Sequence, residues 1–184
     1  MSSSDYKAFG VSEGGIPKLR EDVAANMRRE LSAALRNRNK SAVMDKLYSS
    51  NPLDIPNVLL EGQIRDLQLE AMRRSGAKDA SQAPPREPLV EPARRRVALG
   101  LLLNDIIRRE KLVVDRARVN ERLDEMVSAY GDAAAMKRAY MANADAMRQV
   151  ENLALEDQAV DWVLAHAKVH DKPTTFKELM NFEV

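Results

Sequence analysis

Seven consecutive residues, Val97 to Leu103, are apolar or glycine. Arginines close the run on both sides, with Arg94, Arg95 and Arg96 before it and Arg108 and Arg109 after it. A bilayer-spanning helix takes roughly 20 apolar residues, so this run is too short to cross a membrane. No positively charged start leads into an apolar signal core, and no membrane partner is expected. Val97, Leu99, Leu101, Leu102, Leu103, Ile106 and Ile107 would surround a helix instead of lining one stripe. That pattern predicts packing on more than one side, with Leu101 in the interior. Gly100 costs roughly 1 kcal/mol against alanine in a helix, and the close approach of a neighbouring helix is the expected offset. The flanking arginines mark where the helix meets water.

Helical spacing extends over most of the chain. After "FGVSEGGIPK", Pro17 suits a first helical position, where its missing N–H costs nothing. Leu19, Val23, Met27, Leu31 and Leu35 then recur every four residues in a helix running to about Ser49. Four-residue spacing drifts around a 3.6-residue helix, so this one should meet different neighbours along its length. "SNPLDIP" breaks it. A second helix is expected from about Pro56 to Ser75, with Leu60, Ile64, Leu67 and Met72 as its apolar positions. "GAKDASQAPPREP" reads as a loop, and the third helix starts between Pro88 and Pro92. Asp115 is the expected N-cap of a fourth helix, in which Val119, Leu123, Met126, Val127 and Tyr130 share a face and which Gly131 ends.

A short helix over Ala133 to Ala142 places Met136 and Tyr140 one turn apart. A long one from about Ala144 to Lys168 carries two stripes, Val150, Leu153, Val160 and Leu164 on one face and Leu155 and Trp162 on another. "TFKELMNF" makes a final short helix capped by Thr174 or Thr175. No stretch alternates with period two, so the chain reads as all-α, without a sheet.

Several chemistries lack their residues. The 29 Lys plus Arg against 28 Asp plus Glu leave a formal charge of +1, and cysteine is absent. There is thus no global pull toward polyanions, no disulfide and no cysteine nucleophile. The absence of cysteine fits a reducing, cytoplasmic compartment. His166 and His170 have zinc-ligand spacing but are the only histidines. "GVSEGG" lacks the Lys-Ser/Thr step of a phosphate loop and reads as a hinge. Nearly all of the carboxylates lie within helical reach of Arg or Lys, as Glu21 and Asp105 do, and read as solvated ion pairs. No catalytic site, metal or cofactor is expected. The arginines at 73–74, 94–96, 108–109, 116, 118 and 122 alternate with acids and few aromatics. A charged, solubilising rim accounts for them better than nucleic-acid binding.

"LREDVAANMRREL", "LDIPNVLLEGQI", "ARRRVALGLLLNDII", "MVSAYGD", "LEDQAVDWVLAHAKV" and "FKELMN" occur in this order. Together they resemble the C-terminal domain of bacterial trigger factor, a ribosome-associated folding chaperone, from about Phe9 onward. The resemblance implies an elongated helical body carrying two protruding helical arms. Residues 1–54 would supply the body helix, 55–110 the first arm, 111–166 the second and 167–184 a tail on the body. The family's ribosome-docking domain carries a Gly-Phe-Arg signature that does not occur here. Its prolyl-isomerase domain needs a sheet around an aromatic pocket, which the few aromatics here, spread over helices, do not supply. The expectation is therefore a C-terminal domain alone, meeting the ribosome only through the missing N-terminal domain. Pro92 departs from the family's usual polar residue.

Nine methionines against three phenylalanines and one tryptophan suit an adaptable binding surface. Met27 and Met44 are expected to fill the core. Met126, Tyr130, Met136, Tyr140, Met141 and Met147 crowd into short helices whose other bulk is alanine, so some must face outward. With Val58, Leu59 and Met72 on the first arm, they form the candidate substrate-binding set. The expected function is ATP-independent holding of unfolded or nascent polypeptides in a cleft between the arms, with weak self-association through the same faces. The alternative is a helical dimerisation module with one fixed partner. On this reading a charge at Leu101 unfolds or strongly destabilises the domain, whereas one at Met136 or Tyr140 leaves the melt almost unchanged and weakens the capture of unfolded clients.

Overall fold

A computed structural model describes residues 15–77, 79, 82–128 and 130–179. The described elements are α1 (Gly15–Ser50), α2 (Asn57–Ser75), a 3₁₀ turn (Glu87–Leu89), α3 (Val90–Arg109), α4 (Arg116–Val127), α5 (Ala133–Ala142), α6 (Ala144–His166) and α7 (Phe176–Leu179). Among the described residues there is no strand, and the fold is all-α. The chain divides into two compact units, Val43–Lys168 and a second made from Met1–Ala42 and Val169–Val184. The "FGVSEGGIPK" start before Gly15 and the end of "TFKELMNF" lie outside the described residues.

Three apolar clusters hold Val43–Lys168 together. In the first, Leu60 and Ile64 of α2 close on Ala93 of α3, flanked by Ile55, Leu67, Leu89 and Val90. Gly76 stops α2 in the left-handed region at φ 72°, and the Ala77 N–H reaches back to the Met72 carbonyl at 3.0 Å. An L side chain there would be strained. Gln68 Nε2 donates to the Pro84 carbonyl at 2.8 Å and ties down the loop that follows. Pro92 falls in the first turn of α3, where no ladder bond needs its N–H, so its departure from the family pattern is accommodated.

The second cluster joins Val43 of α1, Leu103 of α3, and Ala159 and Val160 of α6, with Met44, Leu47, Ile106, Ile107 and Leu112 around them. The third gathers Val119, Leu123 and Val127 of α4 against Val150 and Ala154 of α6. Each buried valine or leucine contributes roughly 1.5–3 kcal/mol by leaving water. Side-chain caps set the helix starts, as Asp115 accepts from the Ala117 N–H (2.8 Å), Asp132 from Ala135 (2.8 Å) and Asn143 from Asp145 and Ala146 (3.0 and 3.1 Å). In the other unit, the Thr175 N–H donates to Glu178 Oε2 at 3.0 Å, and the Glu178 N–H returns to Thr175 Oγ1 at 3.3 Å. This reciprocal cap starts α7. The Thr175 N–H bond, followed by the Thr174 and Thr175 hydroxyls, holds the Glu178 carboxyl below its ordinary value.

Four expectations need correction. Leu101 is 39% exposed, and the buried residues of α3 are Ala93, Ala98 and Leu103. Neighbours take α3 at its two ends, in separate clusters, and leave the Leu101 side to solvent. A Cβ added at Gly100 would meet nothing within 4 Å, so no close helix offsets that glycine. Met27 is exposed, with Val23 and Leu35, whereas Met44 is half-buried against the second cluster. Finally, α4 ends at Val127 instead of Gly131, because the Ser128 hydroxyl turns back to the Glu125 carbonyl at 2.7 Å. The Tyr130 N–H then bonds the Val127 carbonyl at 3.0 Å, and Tyr130 leaves the helix face.

Leu103→Asp is expected to cost about 3 kcal/mol or more, since it places an unpaired charge in the second cluster. Leu101→Asp should shift the melt only slightly. Circular dichroism melts compare the two, and an equal loss would contradict the assigned burial. A second test concerns Lys111, at φ 52° the only non-glycine residue with positive φ among those described. The Leu112 N–H reaches the Ile107 carbonyl at 3.0 Å, the closure that places glycine where Lys111 stands. Lys111→Gly should therefore stabilise by about 0.5 kcal/mol in urea titrations, the relief of left-handed strain exceeding the added unfolded-state entropy.

Candidate functional site

Within Val43–Lys168 the candidate residues fall into two groups. Met126, Met136, Tyr140 and Met147 come together, half-buried, on the cluster built by α4 and α6. No residue of α5 is fully buried. It is held through Ala133, Met136 and Tyr140, whose other sides stay in contact with water. Tyr130 (49% exposed) and Met141 (58%) stand clear of this packing. The remaining candidates lie on α2, whose buried residues belong to a different cluster. Val58, at 81%, and Leu59 are exposed in its first turn, and Met72 is half-buried in its last.

The sequence reading did not count the other exposed apolar side chains of this unit as candidates, and it placed Leu101 in the interior. They are Leu53, Leu69, Leu101, Val113 and Val114. Leu69 lies out of phase with the Leu60–Ile64–Leu67 stripe, which was a readable signal. Leu53, Val113 and Val114 occupy connections between helices, where a helical template assigns no face. Such side chains offer water-exposed apolar area for reversible, non-covalent contact.

Many charged side chains of this unit are paired. Arg94, Arg95 and Arg96 face Glu91, Asp45 and Glu70, and Arg95 also lies 5.4 Å over the Tyr48 ring. The Arg96 hydrogen bond, with Arg74 nearby, holds the Glu70 carboxyl below its ordinary value. Arg108, then Arg109, do the same for Asp105. Arg118 pairs with Asp161 across α4 and α6, which raises the guanidinium's pKa. Lys137 of α5 reaches Asp124 of α4. Such exposed pairs are screened by water and add little to stability. Their effect is to keep the arginines locally neutralised.

The two histidines do not form a helical pair. α6 ends at His166, whose ring stacks on Trp162 at 4.1 Å and whose Nδ1 donates to the Trp162 carbonyl at 2.8 Å. His170 lies beyond that helix, so the four-residue spacing no longer puts both rings on one face. Among the described residues no three His, Asp or Glu side chains group as a metal site, and no helix is long and apolar enough to cross a membrane.

Tyr140 and Met136 pack against the cluster of Val119, Leu123, Val127, Val150 and Ala154, which gives them a stability role where the sequence reading expected a charge at either to leave the melt almost unchanged. Tyr140→Ala should cost about 1–3 kcal/mol in urea denaturation, whereas Met141→Ala should stay within about 0.5 kcal/mol. Equal effects would show that α5 is held by something other than its inner face.

The family model described as bacterial trigger factor protein (TF) C-terminus matches residues 15–165, most of the 184-residue chain. Its span runs from the start of α1 to the last turn of α6 and takes in all three clusters and every candidate residue. The chain belongs to the C-terminal family of bacterial trigger factor, a chaperone-type domain that binds nascent or unfolded polypeptides.

Proposed function

We propose that this protein holds unfolded or nascent segments in the cytoplasm, without ATP, through several shallow apolar contacts in a cleft between two helical arms. In this reading residues 55–110 form one arm and 111–166 the other, while residues 1–54 and 167–184 supply a body and its tail. Val58, Leu59 and Met72 serve on the first arm. Tyr130 and Met141 serve on the second, together with the solvent-facing edges of Met126, Met136, Tyr140 and Met147. Docking on the ribosome is a task of the family's N-terminal domain, and weak self-association uses the same apolar faces.

The observation that carries this reading is the exposure of large apolar side chains on α2, α5 and the connections. Unbranched methionines adapt to different client side chains. Paired charges keep the rim soluble without attracting one sign of client. A disordered client loses entropy on being held, so each site should bind at about micromolar strength, and release follows when the client folds.

Suppression of aggregation by several unrelated unfolded proteins tests this. The triple variant Val58→Asp, Tyr130→Asp, Met141→Asp should melt like the parent yet need roughly tenfold more protein to suppress aggregation, a loss of about 1.4 kcal/mol. Full activity in a folded triple variant would refute the assignment. Binding to one saturable partner and to no unrelated client would favour a dedicated interaction module.

A further inference from the structure

The α3–α4 connection carries a contact that neither the packing nor client holding requires. The chain leaves α3 through Lys111 in the left-handed region and enters α4 at Asp115, whose side chain caps the Ala117 N–H. Between them, the Gln158 side chain of α6 bonds the connection by its backbone. Its Nε2 donates to the Val113 carbonyl at 2.9 Å, and its Oε1 accepts from the Asp115 N–H at 3.0 Å. In extended chain the carbonyl of one residue and the N–H two residues on point to the same side, as in a sheet ladder. A primary amide presents an acceptor and a donor side by side and matches both. Glutamate can only accept there, and lysine can only donate.

The position of Gln158 on α6 gives this contact its consequence. Val150 and Ala154 on one side of it belong to the α4–α6 cluster, and Ala159 and Val160 on the other belong to the cluster shared with α1 and α3. The lobe of α4, α5 and the first half of α6 is thus joined to the rest of the unit by two stretches of chain, α6 itself and the α3–α4 connection. A long helix held alone is free to curve. Two stretches pinned side by side resist bending.

We infer that Gln158 is a latch that fixes the tilt of the α4–α5 lobe on α3 by clamping the backbone of the α3–α4 connection, and that releasing it lets the lobe swing on α6. Asp157 and Asp161 flank it and pair with Arg122 and Arg118 of α4, while Gln158 bonds the backbone at Val113 and Asp115. The latch is a property of the fold and stands whether or not the arms hold clients.

The chain has no cysteine, so cysteines introduced at Glu91 of α3 and Arg138 of α5 accept spin labels selectively for distance measurement. The otherwise unaltered protein should give one narrow distribution. Gln158→Met, similar in length but unable to pair, should broaden it. Amide exchange at Asp115 should also accelerate roughly tenfold as its hydrogen bond is lost. Gln68→Met removes the comparable side-chain bond to the α2–α3 loop and should leave the distribution unchanged. If Gln158→Met loses its helical dichroism, Gln158→Glu, which keeps volume and acceptor but not the donor, is measured in its place. An unchanged distribution in the folded Gln158 variant, or equal broadening in Gln68→Met, overturns the latch.

Discussion

Two of the three cores in Val43–Lys168 meet on one helix, α6. Its first half packs Val150 and Ala154 under α4, and its second half packs Ala159 and Val160 under α3 and the end of α1. Two of these four residues are alanines, fully or almost fully buried. Small side chains bring helix axes close, so the contact is made by backbone proximity as much as by bulk. That geometry leaves little volume for large side chains to fill, and many of them remain at the surface. The same constraint that stabilises the unit also makes it apolar outside.

The candidate surface follows from this shortage of interior. In a thicker domain Met136, Tyr140 and Met147 would be covered from a second side. Here they rest on the α4–α6 cluster with their far edges in water. A half-buried methionine keeps part of its rotamer freedom and adapts to what lies against it. The residues that support the lobe and those proposed to contact a client are therefore partly the same, with Met141 and Tyr130 the clearest exceptions. The unit's exposed arginine–carboxylate pairs bring small energetic gain, and their contribution is to solubility more than to stability.

Much of the element layout was legible from residue type and spacing. Helical periodicity, the prolines of "SNPLDIP", Gly76 and the caps at Asp115 and Thr175 marked starts and stops close to those observed. Their legibility has a local cause. A helix and its caps close hydrogen bonds over three or four residues, and the residues that favour or forbid them lie in the same stretch. The ordered series of motifs carried the family as well. The end of α4 was missed because Ser128 and Tyr130 closed the turn before Gly131 was reached.

Sequence alone therefore determined the all-α class, the succession of helices and the apolar faces available. Only the tertiary structure decided which faces found a neighbour. Leu101 and Leu103 are two residues apart and chemically identical, yet one is exposed and the other buried. Met27 matched a core pattern and is exposed. Gln158 gave no local signal, because its two partners lie 43 and 45 residues away in the chain. Burial depends on where another segment lies, and in so thin an interior few positions receive one. Spacing along a helix specifies a direction, whereas the presence of a partner in that direction is settled by the packing of the whole unit.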